Sequence, residues 1–145
     1  MSSGRREACV VVVAHGSGRP EHVKLVESVV NRVRGSLAPA GIGVAVAYLE
    51  GPEHGLPGIP EVLREVVEGG CRDVVVALFF LTPGRHVLED VPREVREVLR
   101  RYPGVKYVIT ECLGTHPLIP EALADRIRSG LESLTSTPKS NPCLS

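Results

Sequence analysis

The run Cys9–Ala14 (CVVVVA) stops abruptly at His15-Gly16-Ser17-Gly18, and Pro20 opens a helical period. A short run dominated by β-branched valine suits a strand buried on both faces better than a helix. The same alternation of apolar run, breaker and helical period recurs along the rest of the chain. Strands separated by helices line up in parallel, because each helix carries the chain back to the edge from which the next strand starts. The expected class is α/β, one domain with a four-stranded parallel sheet and helices on both faces.

Taken in order, Val23, Val26, Val29, Val30, Val33 and Leu37 form the apolar stripe of a first helix, ending near Ala38–Gly41. Val44–Leu49 is a second strand with Glu50 directly after it, and Gly51–Gly58 (GPEHGLPG) is loop. Pro60 fits the first turn of a second helix with Ile59, Val62, Leu63, Val66 and Val67 inward, stopped by Gly69-Gly70. Asp73–Leu81 (DVVVALFFL) is expected to be a central strand, with Thr82–His86 as its terminal loop. Asp90 is expected to cap a third helix with Pro92 in its first turn and Val91, Val95, Val98 and Leu99 inward. Lys106–Cys112 is the fourth strand, and Pro117 starts a fourth helix carrying Ile119, Leu123, Ile127 and Leu131 inward. The domain is expected over residues 1–134, with 135–145 a disordered tail.

Charge excludes more than it suggests. Lys and Arg number 17 and so do Asp and Glu, so neither nucleic acid nor an anionic membrane is expected as partner. No apolar run approaches the length of a spanning helix and the start lacks a signal-peptide core, which gives the expectation of a cytoplasmic protein. Cys9, Cys71, Cys112 and Cys143 are scattered without a CxxC pair, so neither a zinc knuckle nor a disulfide framework is expected. Cys9 and Cys112 read as small buried hydrophobes.

In a parallel sheet every strand-to-helix loop emerges on one edge, where ligands bind in open α/β folds. That edge receives His15, Glu50, His86 and, after the fourth strand, His116. Imidazole suits Co, Ni, Fe and Zn, and a carboxylate can join the shell or accept protons. His116-Pro117 reads as a device for starting a helix. The glycine turn could also cradle an anion on its backbone N–H groups, but GxxxxGK[ST] and a complete GxGxxG are absent from it.

Four stretches carry a resemblance: AHGSGRP at Ala14–Pro20, YLEGPE at Tyr48–Glu53, LFFLTPGRHVLEDVP at Leu78–Pro92 and LGTHPLIPEAL at Leu113–Leu123. Together and in this order they resemble the short CbiX-type class II chelatases, which insert cobalt or nickel into sirohydrochlorin. The resemblance implies a chelatase-like fold, a homodimer, and His15 and His86 as metal-binding histidines, with Glu50 matching the acidic residue after the second strand. It implies no prosthetic group, since Co²⁺ or Ni²⁺ is the substrate metal. The loop after Glu50 is longer than the usual pattern by His54–Gly58, so both Glu50 and Glu53 are candidates to face the substrate.

Metallating a free tetrapyrrole means stripping water from the ion and removing two pyrrole protons. Neutral His15 and His86 could hold the ion while leaving positions open, and Glu50 could accept a proton. The carboxylates of sirohydrochlorin call for donors, for which Arg19, Arg85 and the amides around Gly16 and Ser17 are candidates. One small domain offers a single wall to a large flat ligand, a separate reason to expect two copies. The alternatives are a non-catalytic metal or tetrapyrrole carrier using the same edge, and a phosphotransfer enzyme with His15 as nucleophile.

Overall fold

The computed structural model describes residues 8–136, apart from the side chain of His86. Its strands are β1 (Ala8–Ala14), β2 (Gly43–Tyr48), β3 (Asp73–Leu78) and β4 (Lys106–Ile109). Its helices are α1 (Pro20–Leu37), α2 (Ile59–Glu68), α3 (Arg85–Leu99) and α4 (Leu118–Ser136). The sheet order is β2-β1-β3-β4 and every pairing is parallel.

From β1 the chain steps to one side to form β2, then back past β1 to β3 and onward to β4. Right-handed crossovers therefore place α1 on one face and both α2 and α3 on the other. The two cores follow that division. Val11, Val13, Val74 and Val76 of the sheet pack with Val62, Leu63 and Val67 of α2 and Val87, Val91 and Val95 of α3. On the opposite face Val12, Ala14, Val46 and Tyr48 pack with Val30 of α1, flanked by half-buried Val23 and Val26. The valine run of β1 is thus buried from both sides, as its composition requires.

The third and fourth strands both end earlier than expected, at Leu78 and Ile109. The Thr110 hydroxyl accepts the Leu78 N–H at 3.1 Å, substituting a side chain for the next ladder bond. Beyond it the chain turns at Leu113–Thr115. The third helix starts earlier than expected, at Arg85 behind Gly84, so Asp90 is not its cap and Pro92 lies in its interior. The apolar stripe explains this, because buried Val87 extends the series of Val91, Val95 and Val98 by a full turn. Pro92 removes the bond to the Leu88 carbonyl, but Leu88 is on the exposed side, where water can serve that group.

The expected inward face of the fourth helix is corrected. Leu123, Ile127 and Leu131 of α4 are all more than half exposed, and no residue of the helix is buried. The helix reaches Ser136, and residues 137–145, most of the expected tail, lie outside the described residues.

The cysteine reading is corrected too. Cys9 and Cys71 form a disulfide with Cα atoms 6.2 Å apart. Parallel pairing sets Cys9 beside Val74, and Cys71 sits in the turn just before β3, so the sheet register brings together two residues 62 positions apart. Cys112 is a buried free thiol, and Cys143 lies outside the described residues. Among the described residues no helix is long and apolar enough to cross a membrane.

Candidate active site

The carboxyl ends of β1, β2 and β3 form one edge, and the first two turns beyond them are bound to each other through backbone. The Leu49 N–H donates to the Ala14 carbonyl at 2.8 Å, and the Glu50 N–H to the His15 carbonyl at 2.7 Å. The ladder between β1 and β2 thereby continues into the loops and fixes where both side chains begin. Gly16 makes the close approach possible. Its φ is +96°, and a Cβ there would come within 3.2 Å of the Glu50 carbonyl and the Tyr48 Cβ.

The result is a histidine facing a carboxylate. His15 Nε2 lies 3.4 Å from Glu50 Oε2, and both side chains are about half exposed. The other ring nitrogen, Nδ1, is 3.3 Å from the Gly16 carbonyl. With the proton on Nδ1, facing the Gly16 carbonyl, Nε2 is an acceptor like Glu50 Oε2, and the two could ligate a cation lying between them. The edge of Phe80 approaches the imidazole at 6.4 Å between ring centroids. Ser17 shapes the turn, its hydroxyl accepting the Arg19 N–H at 3.0 Å.

A cavity of about 380 Å³ opens beside this pair, lined by His15, Gly16, Ser17, His22, Val23, Val26 and Tyr48. The Tyr48 hydroxyl is buried with no hydrogen-bond partner. Burial, reinforced by the negative charge of Glu27, raises its pKa above the ordinary phenol value.

Of the expected site residues, His15 and Glu50 are brought together, with Gly16 and Ser17 forming the turn between them. Arg19 and Arg85 are exposed on the flanks, Arg85 as the first residue of α3. His86 is the second residue of α3, and its side chain is outside the description. Glu53 is exposed in a short 3-10 turn, Pro52–His54, whereas His54 folds back so that its Nδ1 would lie 3.3 Å from a Cβ on Gly18. His116 has the role read from its sequence, its Nδ1 accepting the Leu118 N–H at 3.0 Å at the start of α4. Among the described residues no group of three or more His, Cys, Asp or Glu side chains gathers as a metal site.

Phe80, Tyr48 and His22 were not singled out from sequence. The first two look like ordinary members of apolar strands, and only their position at strand ends hints at a role. His22 lies one turn into α1, near enough to the glycine turn for its side chain to reach the cavity.

Known proteins resemble this chain in sequence and in fold. A sirohydrochlorin ferrochelatase, chloroplastic, from Arabidopsis thaliana is 33% identical over 120 residues, covering 82% of this chain and 51% of the relative. A sirohydrochlorin cobaltochelatase from Methanothermobacter thermautotrophicus is 27% identical over 137 residues, 84% of this chain and 92% of the relative. The chain thus spans about half of the first relative and nearly all of the second. A crystal structure of a CbiX protein from Marinobacter aquaeolei VT8 superposes with a TM-score of 0.72 at 25% identity, covering 86% of this chain and 98% of that one. The CbiX family model matches residues 9–130, which takes in all four strands and the His15 and Glu50 turns, and the chain belongs to the CbiX family.

Proposed function

We propose that this chain is a sirohydrochlorin metal chelatase, acting as a cytoplasmic homodimer and inserting Co²⁺ or Ni²⁺ as substrate metal. The observation that carries the reading is the 3.4 Å approach of His15 Nε2 to Glu50 Oε2 on the ligand-binding edge of a CbiX-family sheet. In this reading the ion arrives on neutral His15, and His86 completes its protein ligands. The tetrapyrrole gives up two pyrrole protons as the divalent ion enters, so charge is conserved. Glu50, beside the ion, accepts the first of them directly or through water.

Arg19, Arg85 and the Gly16-Ser17 turn face the carboxylates of the ring from the same edge. The cavity of one copy is small for a macrocycle, which supports enclosure by a second copy. The relatives include both iron and cobalt enzymes, so Fe²⁺ is the competitor against which Co²⁺ and Ni²⁺ are to be measured.

The test is spectrophotometric. Purified protein with sirohydrochlorin and each ion in turn should convert the free-ring spectrum to that of the metal complex faster than the uncatalysed control. Glu50→Gln should lower the rate by about a hundredfold or more, the usual cost of removing a proton acceptor. His15→Ala should abolish the metal-dependent acceleration. Wild-type protein that binds the ring without accelerating insertion of any of the three ions would make it a carrier instead.

A further inference from the structure

The cavity beside His15 is too small for a macrocycle, yet its walls are rich in polar groups. Val23 and Val26 form its apolar side, and His15, His22, Ser17 and Tyr48 supply the rest together with Gly16. Tyr48 is only 2% exposed, and its hydroxyl has no hydrogen-bond partner among the described residues. A covered hydroxyl left unpaired destabilises a fold, and phenylalanine would fill the same space without that penalty. The oxygen therefore calls for a partner from outside the chain.

The groups around the cavity favour an acceptor. Burial and the nearby charge of Glu27 hold the phenol proton in place, so Tyr48 offers a hydrogen bond. The Ser17 hydroxyl accepts the Arg19 N–H, which leaves its own proton to donate. The first turn of α1 borders the space through His22 and Val23, and the positive end of a helix attracts an anion. The charge of Glu27 is offset by Arg34, whose guanidinium stands 4.0 Å from its carboxylate. At about 380 Å³ the space exceeds the ~30 Å³ share of one bridging water and suits a short carboxylate arm.

We infer that this cavity seats one peripheral carboxylate of the tetrapyrrole, with the Tyr48 hydroxyl as its buried donor. This rests on the proposed substrate and adds Tyr48 to the residues that recognise it. His15 lines the cavity and also faces Glu50, so the arm and the metal site share one imidazole as a common wall. An arm anchored here fixes how the ring is turned over His15 and Glu50, which is what insertion of an ion at that pair requires.

Equilibrium binding of metal-free sirohydrochlorin to the full chain, followed by the absorption of the ring, tests it. Tyr48→Phe should weaken binding by about tenfold or more, the order expected for a lost hydrogen bond to a charged group. Its thermal midpoint should equal or exceed that of wild type, because the hydroxyl removed is unpaired. The methyl-esterified ring, which has no free carboxylate, should bind wild type and variant alike. Wild type that does not bind the ring overturns the proposed function together with the subsite. Wild type that binds the ring, with Tyr48→Phe binding equally well, overturns the subsite alone, and so does an equal loss with the ester. A lower thermal midpoint for Tyr48→Phe reveals a partner inside the protein and also overturns the subsite.

Discussion

His15 and Glu50 owe their meeting to backbone. Each follows a strand directly, and the strands pair in register, so their positions were legible once the apolar runs were recognised. The approach of His54 to Gly18 was not, because it depends on how a glycine- and proline-rich loop folds back, which no period records. A different residue carries the clearest pH signature. Partial burial raises the Glu94 pKa above its ordinary 4.5, with Arg93 opposing and Asp90, Glu61 and Glu97 adding to the rise. The fold therefore favours the neutral carboxyl, and the stability this gives is present below pH 4.5 and lost as pH rises through the raised value. Glu94→Gln should raise the thermal midpoint at pH 7 by roughly 1–2 °C, a small effect because the group is only partly buried. The gain should vanish below pH 4.5, as paired melts at pH 7 and pH 4 would show.

At the level of elements, helical and strand periods identified every element but misplaced several ends. Proline misled at α3, where Pro92 suggested a first turn and the stripe through Val87 outweighed it. The stripe of α4 was read correctly as apolar, but periodicity says which side of a helix is greasy and not which body receives it. The turn between β4 and α4 is packed more tightly than its sequence suggests. A Cβ on Gly114 would overlap the Leu81 carbonyl, a backbone atom that cannot rotate away. Gly114→Ala should destabilise the fold by about 2–3 kcal/mol, measured by urea denaturation, because the β3 loop and this turn must separate.

For the molecule as a whole, parallel sheet and single domain followed from the alternation of elements, but the disulfide did not. Scattered cysteines give no pattern, and Cys9 and Cys71 become neighbours only when β1 pairs with β3. Closing a loop of 62 residues is worth about 4 kcal/mol in the chain-entropy picture. Reduction, or Cys9→Ser with Cys71→Ser, should lower the unfolding free energy by about 2–4 kcal/mol, read from denaturant melts with and without reductant. Bonds of this type persist in oxidising compartments and in the cytosol of hyperthermophiles. The covalent ring it closes contains most of β1 and all of α1, β2 and α2, while β3, α3, β4 and α4 hang from it as a branch. On a denaturing gel without reductant, a single protease nick inside the ring consequently leaves one covalent piece, whereas one nick past β3 gives two even with the sulfurs still joined.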